Sequence, residues 1–351
     1  MEQATDIQQL LEQTIVPAFL VKSNIITYAN ESARRRMIPL NGDIAELISI
    51  GETEYSQHKS GTLSLTLSVS GASCGATVIR ASDWDIFYMD SPLDDPELRA
   101  FTLAAQHLRE PLSNCLNITE IMQPEVNEHT AEHLARLNRN LHQLHRNLNN
   151  MSDAAHYETV RTSRLEVREL SALFGELLEG AAHLISHSDK TLKIILPNKN
   201  IYALVDAEKL ERAVYNLITN AVKNTIAGGV ITAEFHASGN KAYFSVSNNT
   251  PYLQPGNIFS RFLQEPGLPA GSSGLGLGLT IVRKVAAAHG GTLLMEQDRN
   301  DSVRFTMSIS LKRPEDSILR SQVRLPVDYS GGYDHALLEL SDVLPPELYH
   351  V

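Results

Sequence analysis

Cysteine and tryptophan are nearly absent: Cys74, Cys115 and a single tryptophan are all that 351 residues contain. Two thiols so far apart build neither a disulfide framework nor a metal-type cluster, and they imply a reducing compartment. Long apolar runs are missing too. No stretch approaches the roughly 20 apolar residues of a membrane span, and the N-terminus MEQATDIQQL is polar, so a cytoplasmic protein is expected. Positive charge is scarce: the formal net charge is −11, and the triplet Arg34–Arg36 is the longest basic run. That balance argues against nucleic acid as a partner. The length leaves room for two or three domains with adequate cores.

What is present is concentrated in two places. Residues 274–279 read Gly-Leu-Gly-Leu-Gly-Leu and run into an apolar helical stretch. Glycines at alternate positions clear one face of the loop, so that backbone amides can approach a phosphate chain. The helix that follows points free N–H groups and a positive dipole end at the same anion. Alone, such a repeat fits a tight turn about as well. Upstream, Asp206–Thr225 reads as a helix with Asp206 as N-cap and apolar residues at helical spacing. Asn216, Asn220 and Lys223 share one face of it. Two amides and an ammonium offer oxygens to a hydrated Mg²⁺ and a charge to phosphates, although a solvated polar stripe has the same composition. The two signals together favour a nucleotide.

Two further stretches step by alternating threes and fours. Leu98, Phe101, Ala105, Leu108, Leu112, Cys115, Thr119 and Met122 form one seam; Leu134, Leu137, Leu141, Leu144, Leu148, Met151 and Ala155 form the other. Joined near Pro124, they predict an antiparallel helical hairpin. A lone hairpin leaves its seam uncovered, so a homodimeric four-helix bundle is expected.

With these boxes in this order, residues 95–312 resemble the bacterial sensor histidine kinases and their Bergerat-type ATP-binding domain. Asn216–Thr225 resembles the N box, Ile258–Phe262 the F box and Gly274–Leu279 the second glycine box. The resemblance implies an α/β sandwich that holds ATP and Mg²⁺. Asn216, Asn220, Lys223, Asn248, Phe262, Gly274, Gly276, Leu277 and Gly278 would line the site, with Asn220 as the direct metal ligand. Strands are expected at Leu192–Leu196, Val230–His236, Lys241–Ser247, Gly291–Gln297 and Val303–Leu311.

Two boxes depart from the family pattern. Where the family has Asp-x-Gly-x-Gly, this chain has Asn248, Thr250 and Tyr252. The family's aspartate accepts a hydrogen bond from the adenine amino group; Asn248 can still accept, without the charge. In the family's phosphoacceptor box, Pro111 and Leu112 set a register that puts Gln106 at the histidine position and His107 one residue later. His107 is then the acceptor candidate, turned about 100° from the family position.

The expected architecture is multidomain α+β. A PAS-like sensor domain, suggested by NIITYANESARR, covers 1–90; the dimerisation hairpin covers 95–160, the ATP-binding domain 161–313, and a tail 314–351 either packs on it or is a partially ordered docking segment. No PAS ligand is legible, and His58 is expected in a solvated loop. The implied function is ATP-dependent autophosphorylation on histidine, then transfer to the aspartate of a response-regulator receiver domain. Gln106 and Asn248 keep two alternatives open: an ATP-binding pseudokinase scaffold, or a receiver-domain phosphatase.

Overall fold

The structure, a computed structural model, describes residues 2–81, 83–90, 96–122, 127–156, 165–250, 277–297, 302–311 and 334–350. The N-terminal unit runs α1 (Glu2–Glu12), β1 (Ala18–Lys22), β2 (Ile25–Ala29), α2 (Glu31–Arg35), β3 (Ile48–Ile50), α3 (Glu52–Gln57), β4 (Thr62–Val69), β5 (Ala72–Ala81) and β6 (Trp84–Met89). Its strands lie in the order β2-β1-β6-β5-β4. Alternating residues such as Phe19, Val21, Leu63, Leu65, Val78 and Phe87 form its core. Asn30 fixes the entry to α2: its Oδ1 accepts from Ala33 N at 2.9 Å and from Ala18 N at 3.0 Å. His58 corrects an expectation. It is buried, not solvated, with Arg80 donating to its carbonyl, and burial lowers its pKa.

The hairpin follows as α4 (Pro96–Met122) and α5 (Glu128–His156), and Pro111 lies inside α4 without ending it. Ala105, Leu112 and Leu116 pack against Leu141, Leu148 and Met151. The expected seam is thus divided. Leu116 takes the inward place next to Cys115, while Leu108, Cys115, Met122, Leu137 and Leu144 stay exposed on the single chain.

The remaining elements are β7 (Glu166–Glu169), α6 (Leu170–Ile185), β8 (Thr191–Ile195), β9 (Tyr202–Val205), α7 (Ala207–Asn224), β10 (Val230–Ser238), β11 (Lys241–Asn249), α8 (Leu277–Ala288), β12 (Leu293–Gln297), β13 (Ser302–Ser310) and α9 (His335–Glu339). Strands β12-β13-β11-β10-β8 form a mixed sheet, with β10–β11–β13 antiparallel and β10–β8 parallel. Every second residue, among them Ile231, Ala233, Phe235, Ala242, Phe244 and Val246, meets the apolar faces of α6, α7 and α8 in one core. The C-terminal segment adds Ala336, Leu340, Leu344 and Tyr349 to that core. Among the described residues, no helix is long and apolar enough to cross a membrane.

The two sheets are continuous, because edge strand β4 pairs with edge strand β12: Leu293 lies opposite Ser64, Leu294 opposite Leu63 and Met295 opposite Thr62. Glu54 ion-pairs with Lys241 and accepts from Ser308 Oγ at 3.0 Å, while Arg283 Nη2 lies 2.8 Å from Asp90 Oδ2. Gly61 enters this junction at φ +93°, where a Cβ would lie 2.2 Å from the Met295 carbonyl oxygen. Gly61→Ala is therefore expected to cost roughly 2–4 kcal/mol, by overpacking against backbone and by left-handed strain. Urea unfolding of the two proteins side by side checks this. A midpoint unchanged by the substitution would mean that the two sheets do not pair in solution.

Candidate nucleotide site

The site is built on α7 and the start of α8. Asp206 caps α7 through its side chain, which accepts from Lys209 N at 3.2 Å. The end of α8 is tied to the same place. Buried His289 has Nδ1 2.8 Å from the Val285 carbonyl, and its Nε2 accepts from Asp206 N at 3.0 Å. That pairing requires the neutral ring, and burial lowers its pKa in agreement.

Held this way, α7 places Asn216 against Gly278. A Cβ on Gly278 would lie 2.8 Å from Asn216 Oδ1, so any other residue there would push the Asn216 amide from its place. Asn216 is buried, and its Nδ2 donates to the Arg212 carbonyl at 2.8 Å. Asn220, half-buried one turn on, accepts from Asn224 Nδ2 at 3.2 Å. Lys223 Nζ lies 2.6 Å from Asp342 Oδ2; burial lowers its pKa, opposed by that carboxylate. Asn248 is the second-last residue of β11, opposite Ile231 on β10 and Val303 on β13. It is 4% exposed, and its Nδ2 has no hydrogen-bond partner among the described residues. A buried amide without a partner is costly unless something else fills its bond. Thr250 is also buried. Leu277 opens α8 and is buried; Phe262, Gly274, Gly276 and Tyr252 lie outside the described residues.

These positions match a known pattern. Residues 205–313 match the family described as "Histidine kinase-, DNA gyrase B-, and HSP90-like ATPase". The hybrid signal transduction histidine kinase D of Dictyostelium discoideum is 30% identical over 240 residues, which are 62% of this chain and 15% of that protein. Sensor histidine kinase TmoS of Ectopseudomonas mendocina is 30% identical over 237 residues, 64% of this chain and 24% of TmoS. Sensor histidine kinase RppB of Synechocystis sp. is 30% identical over 226 residues, covering 59% and 48%. Residues 205–313 thus carry the ATPase domain of that family, and the chain is similar to sensor histidine kinases over about three fifths of its length. It matches less than half the length of each of these three relatives. The crystal structure of full-length ShkA in complex with AMPPNP aligns at a TM-score of 0.49 and 21% identity, over 62% of this chain and 47% of that one.

Of the residues expected at the nucleotide site, Asn216 and Gly278 lie side by side, and Asn248 stands one residue before the end of β11. The acceptor candidate is not brought to them by any described contact. Gln106 and His107 are both exposed on α4. Counting about 100° per residue from buried Ala105, His107 points about 200° away from the side that packs on α5.

Motif reading missed three residues that dominate the local charge. Arg146 of α5 donates from Nη2 to Asn216 Oδ1 at 3.1 Å, and Glu339 and Asp342 arrive from the C-terminal segment. Arg146 carried a signal, being a cation on the face of a hairpin helix next to buried histidines. Burial and neighbouring cations push buried His145 down to about 4. The two carboxylates gave none, because their partners lie more than a hundred residues away in sequence.

Proposed function

We propose that this chain binds ATP with Mg²⁺ between α7 and the start of α8, and works as a homodimeric histidine kinase of a two-component system. The observation that carries the reading is the contact of Asn216 with Gly278, which joins the asparagine helix to the first turn of α8. The Nδ2 of Asn248, buried and without a partner among the described residues, supports it. An adenine edge presents both an acceptor and an amino donor, and an asparagine amide can answer both. Asn220 suits Mg²⁺, which takes one or two protein oxygens and fills its sphere with water and phosphate oxygens. The bound metal would neutralise charge on the transferring phosphoryl group.

In this reading a ring nitrogen of His107 accepts the γ-phosphoryl group as ADP leaves. A receiver-domain aspartate oxygen then takes the group from that nitrogen. The N-terminal unit is read as a PAS-type sensor whose docking on β12 couples it to the ATP-binding domain. A second reading, a catalytically impaired ATP-binding scaffold, is favoured by Gln106 at the acceptor position and by the outward face of His107.

Calorimetry with Mg²⁺–ADP tests the binding. Asn220→Ala should lower the metal-dependent affinity at least tenfold, as loss of a charge-assisted contact typically does. Asn248→Asp should raise the affinity. Absence of any heat at millimolar nucleotide, in wild type and Asn248→Asp alike, would remove the nucleotide reading.

A further inference from the structure

The C-terminal segment lies on the same face of α7 that the nucleotide reading uses. Glu339 is 0% exposed and sits between two guanidinium groups, 3.2 Å from Arg146 Nε and 3.4 Å from Arg212 Nε. Asp342, 7% exposed, ion-pairs through Oδ2 with Arg146 and lies 2.6 Å from Lys223 Nζ. One carboxylate oxygen thus bridges a cation of the hairpin and a cation of the asparagine helix. Arg146 reaches on to Asn216, the residue against Gly278. The backbone of the segment is fastened as well. Arg139 Nε and Gln143 Nε2 donate to the Ser341 carbonyl at 3.1 and 3.0 Å, and Thr219 Oγ1 donates to the Glu339 carbonyl at 3.2 Å.

Two buried carboxylates against two buried guanidinium groups, with the Lys223 ammonium at the solvent edge, form a site for a compact polyanion. Guanidinium and ammonium groups bind carboxylate and phosphate with the same charge-assisted geometry. Arg212 has other partners, since Asn150 Oδ1 accepts from it at 2.9 Å and Asp153 ion-pairs with it. If the acidic segment left, Arg146 and Lys223 would face the loss of charge most directly.

We infer that Arg146 is a phosphate-binding residue of the nucleotide site, supplied by the helical hairpin, and that Glu339 and Asp342 occupy its place as phosphate surrogates. Triphosphate and C-terminal segment then compete, and nucleotide entry lifts residues 334–350 from α5 and α7. The inference rests on the nucleotide reading proposed above. It adds that the site is closed from within and that a hairpin residue completes it.

Hydrogen–deuterium exchange on the full-length wild type tests the competition without any substitution. Saturating Mg²⁺–ATP analogue should speed exchange across 334–350 while α7 becomes protected. Calorimetry on full-length Asp342→Asn should give an affinity roughly tenfold higher than wild type, the effect of one charge-assisted contact no longer displaced. Adding Arg146→Gln to that variant should lose most of the gain. Equal affinities for wild type and Asp342→Asn, with exchange in 334–350 unmoved by bound nucleotide, would overturn the competition and leave nucleotide binding standing. Undiminished affinity on adding Arg146→Gln would overturn the role of Arg146. No binding by any of these proteins would instead remove the nucleotide reading, and the inference with it.

Discussion

Gln106→Ala should leave any phosphorylation of this protein unchanged, whereas Gln106→His should raise it by at least ~100-fold. The reason is positional. Phosphoryl transfer depends almost wholly on holding the nucleophile in line with the leaving group, and a displacement of about an ångström costs about two orders of magnitude. His107 is exposed on α4, on the side away from Ala105, Leu112 and Leu116. Pro111 does not break the helix, so nothing among the described residues turns His107 toward α7. A histidine at 106 restores the register that the family's box implies. Incorporation of γ-labelled ATP measures the effect, with mass spectrometry under alkaline conditions to locate the phosphohistidine. In the Gln106→His protein, adding His107→Ala should leave the new label in place; in the wild type, His107→Ala should abolish whatever label exists. Label persisting undiminished in wild type carrying His107→Ala would refute His107 as acceptor. No label in either wild type or Gln106→His would favour the scaffold.

How far the sequence carried the reading depended on whether the deciding contacts were local. The asparagine helix was legible because its cap, its apolar stripe and its polar stripe all lie within twenty consecutive residues. The expected strands at Val230–His236 and Lys241–Ser247 appear as β10 and β11 for the same reason, since alternation is a property of one segment. The docking of β4 on β12 was not legible, because an edge strand carries no mark naming its partner. His58 misled because HKSG is polar in sequence, while its surroundings are set by Arg80 and Asp85 on β5 and β6. The acidic pair on the tail is the strongest instance. Leucines at 337, 338 and 340 announced an amphipathic packing segment. Burial of Glu339 and Asp342 depends on Arg146 and Lys223, which only the fold brings together. A buried carboxylate is tolerated only where such partners wait, so sequence burial rules place it outside.

Leu108→Asp is expected to convert the protein from dimer to monomer. Along α4, Ala105, Leu112 and Leu116 are consumed by packing on α5, yet Leu108, Cys115 and Met122, spaced seven apart on one side, remain exposed. On α5, Leu137 and Leu144 are likewise exposed at 47% and 45%. These residues lie along both helices of one hairpin, where an apolar strip this long is stable only when covered. A second copy related by a two-fold axis would cover it with the same strip. Leu108 sits about 60° from the inward direction of α4, by the same count of about 100° per residue, so it faces such a partner and not α5. Burying its replacement carboxylate without a counter-ion would cost several kcal/mol in each subunit, enough to shift a micromolar dimer by orders of magnitude. Light scattering at micromolar concentration reads the outcome directly: dimer mass for wild type, monomer mass for Leu108→Asp. Asp at exposed Ser113, outside the strip, should leave the dimer intact and controls for added charge on the same helix. A monomer mass for the wild type, or a dimer that tolerates Leu108→Asp, would refute association through this strip.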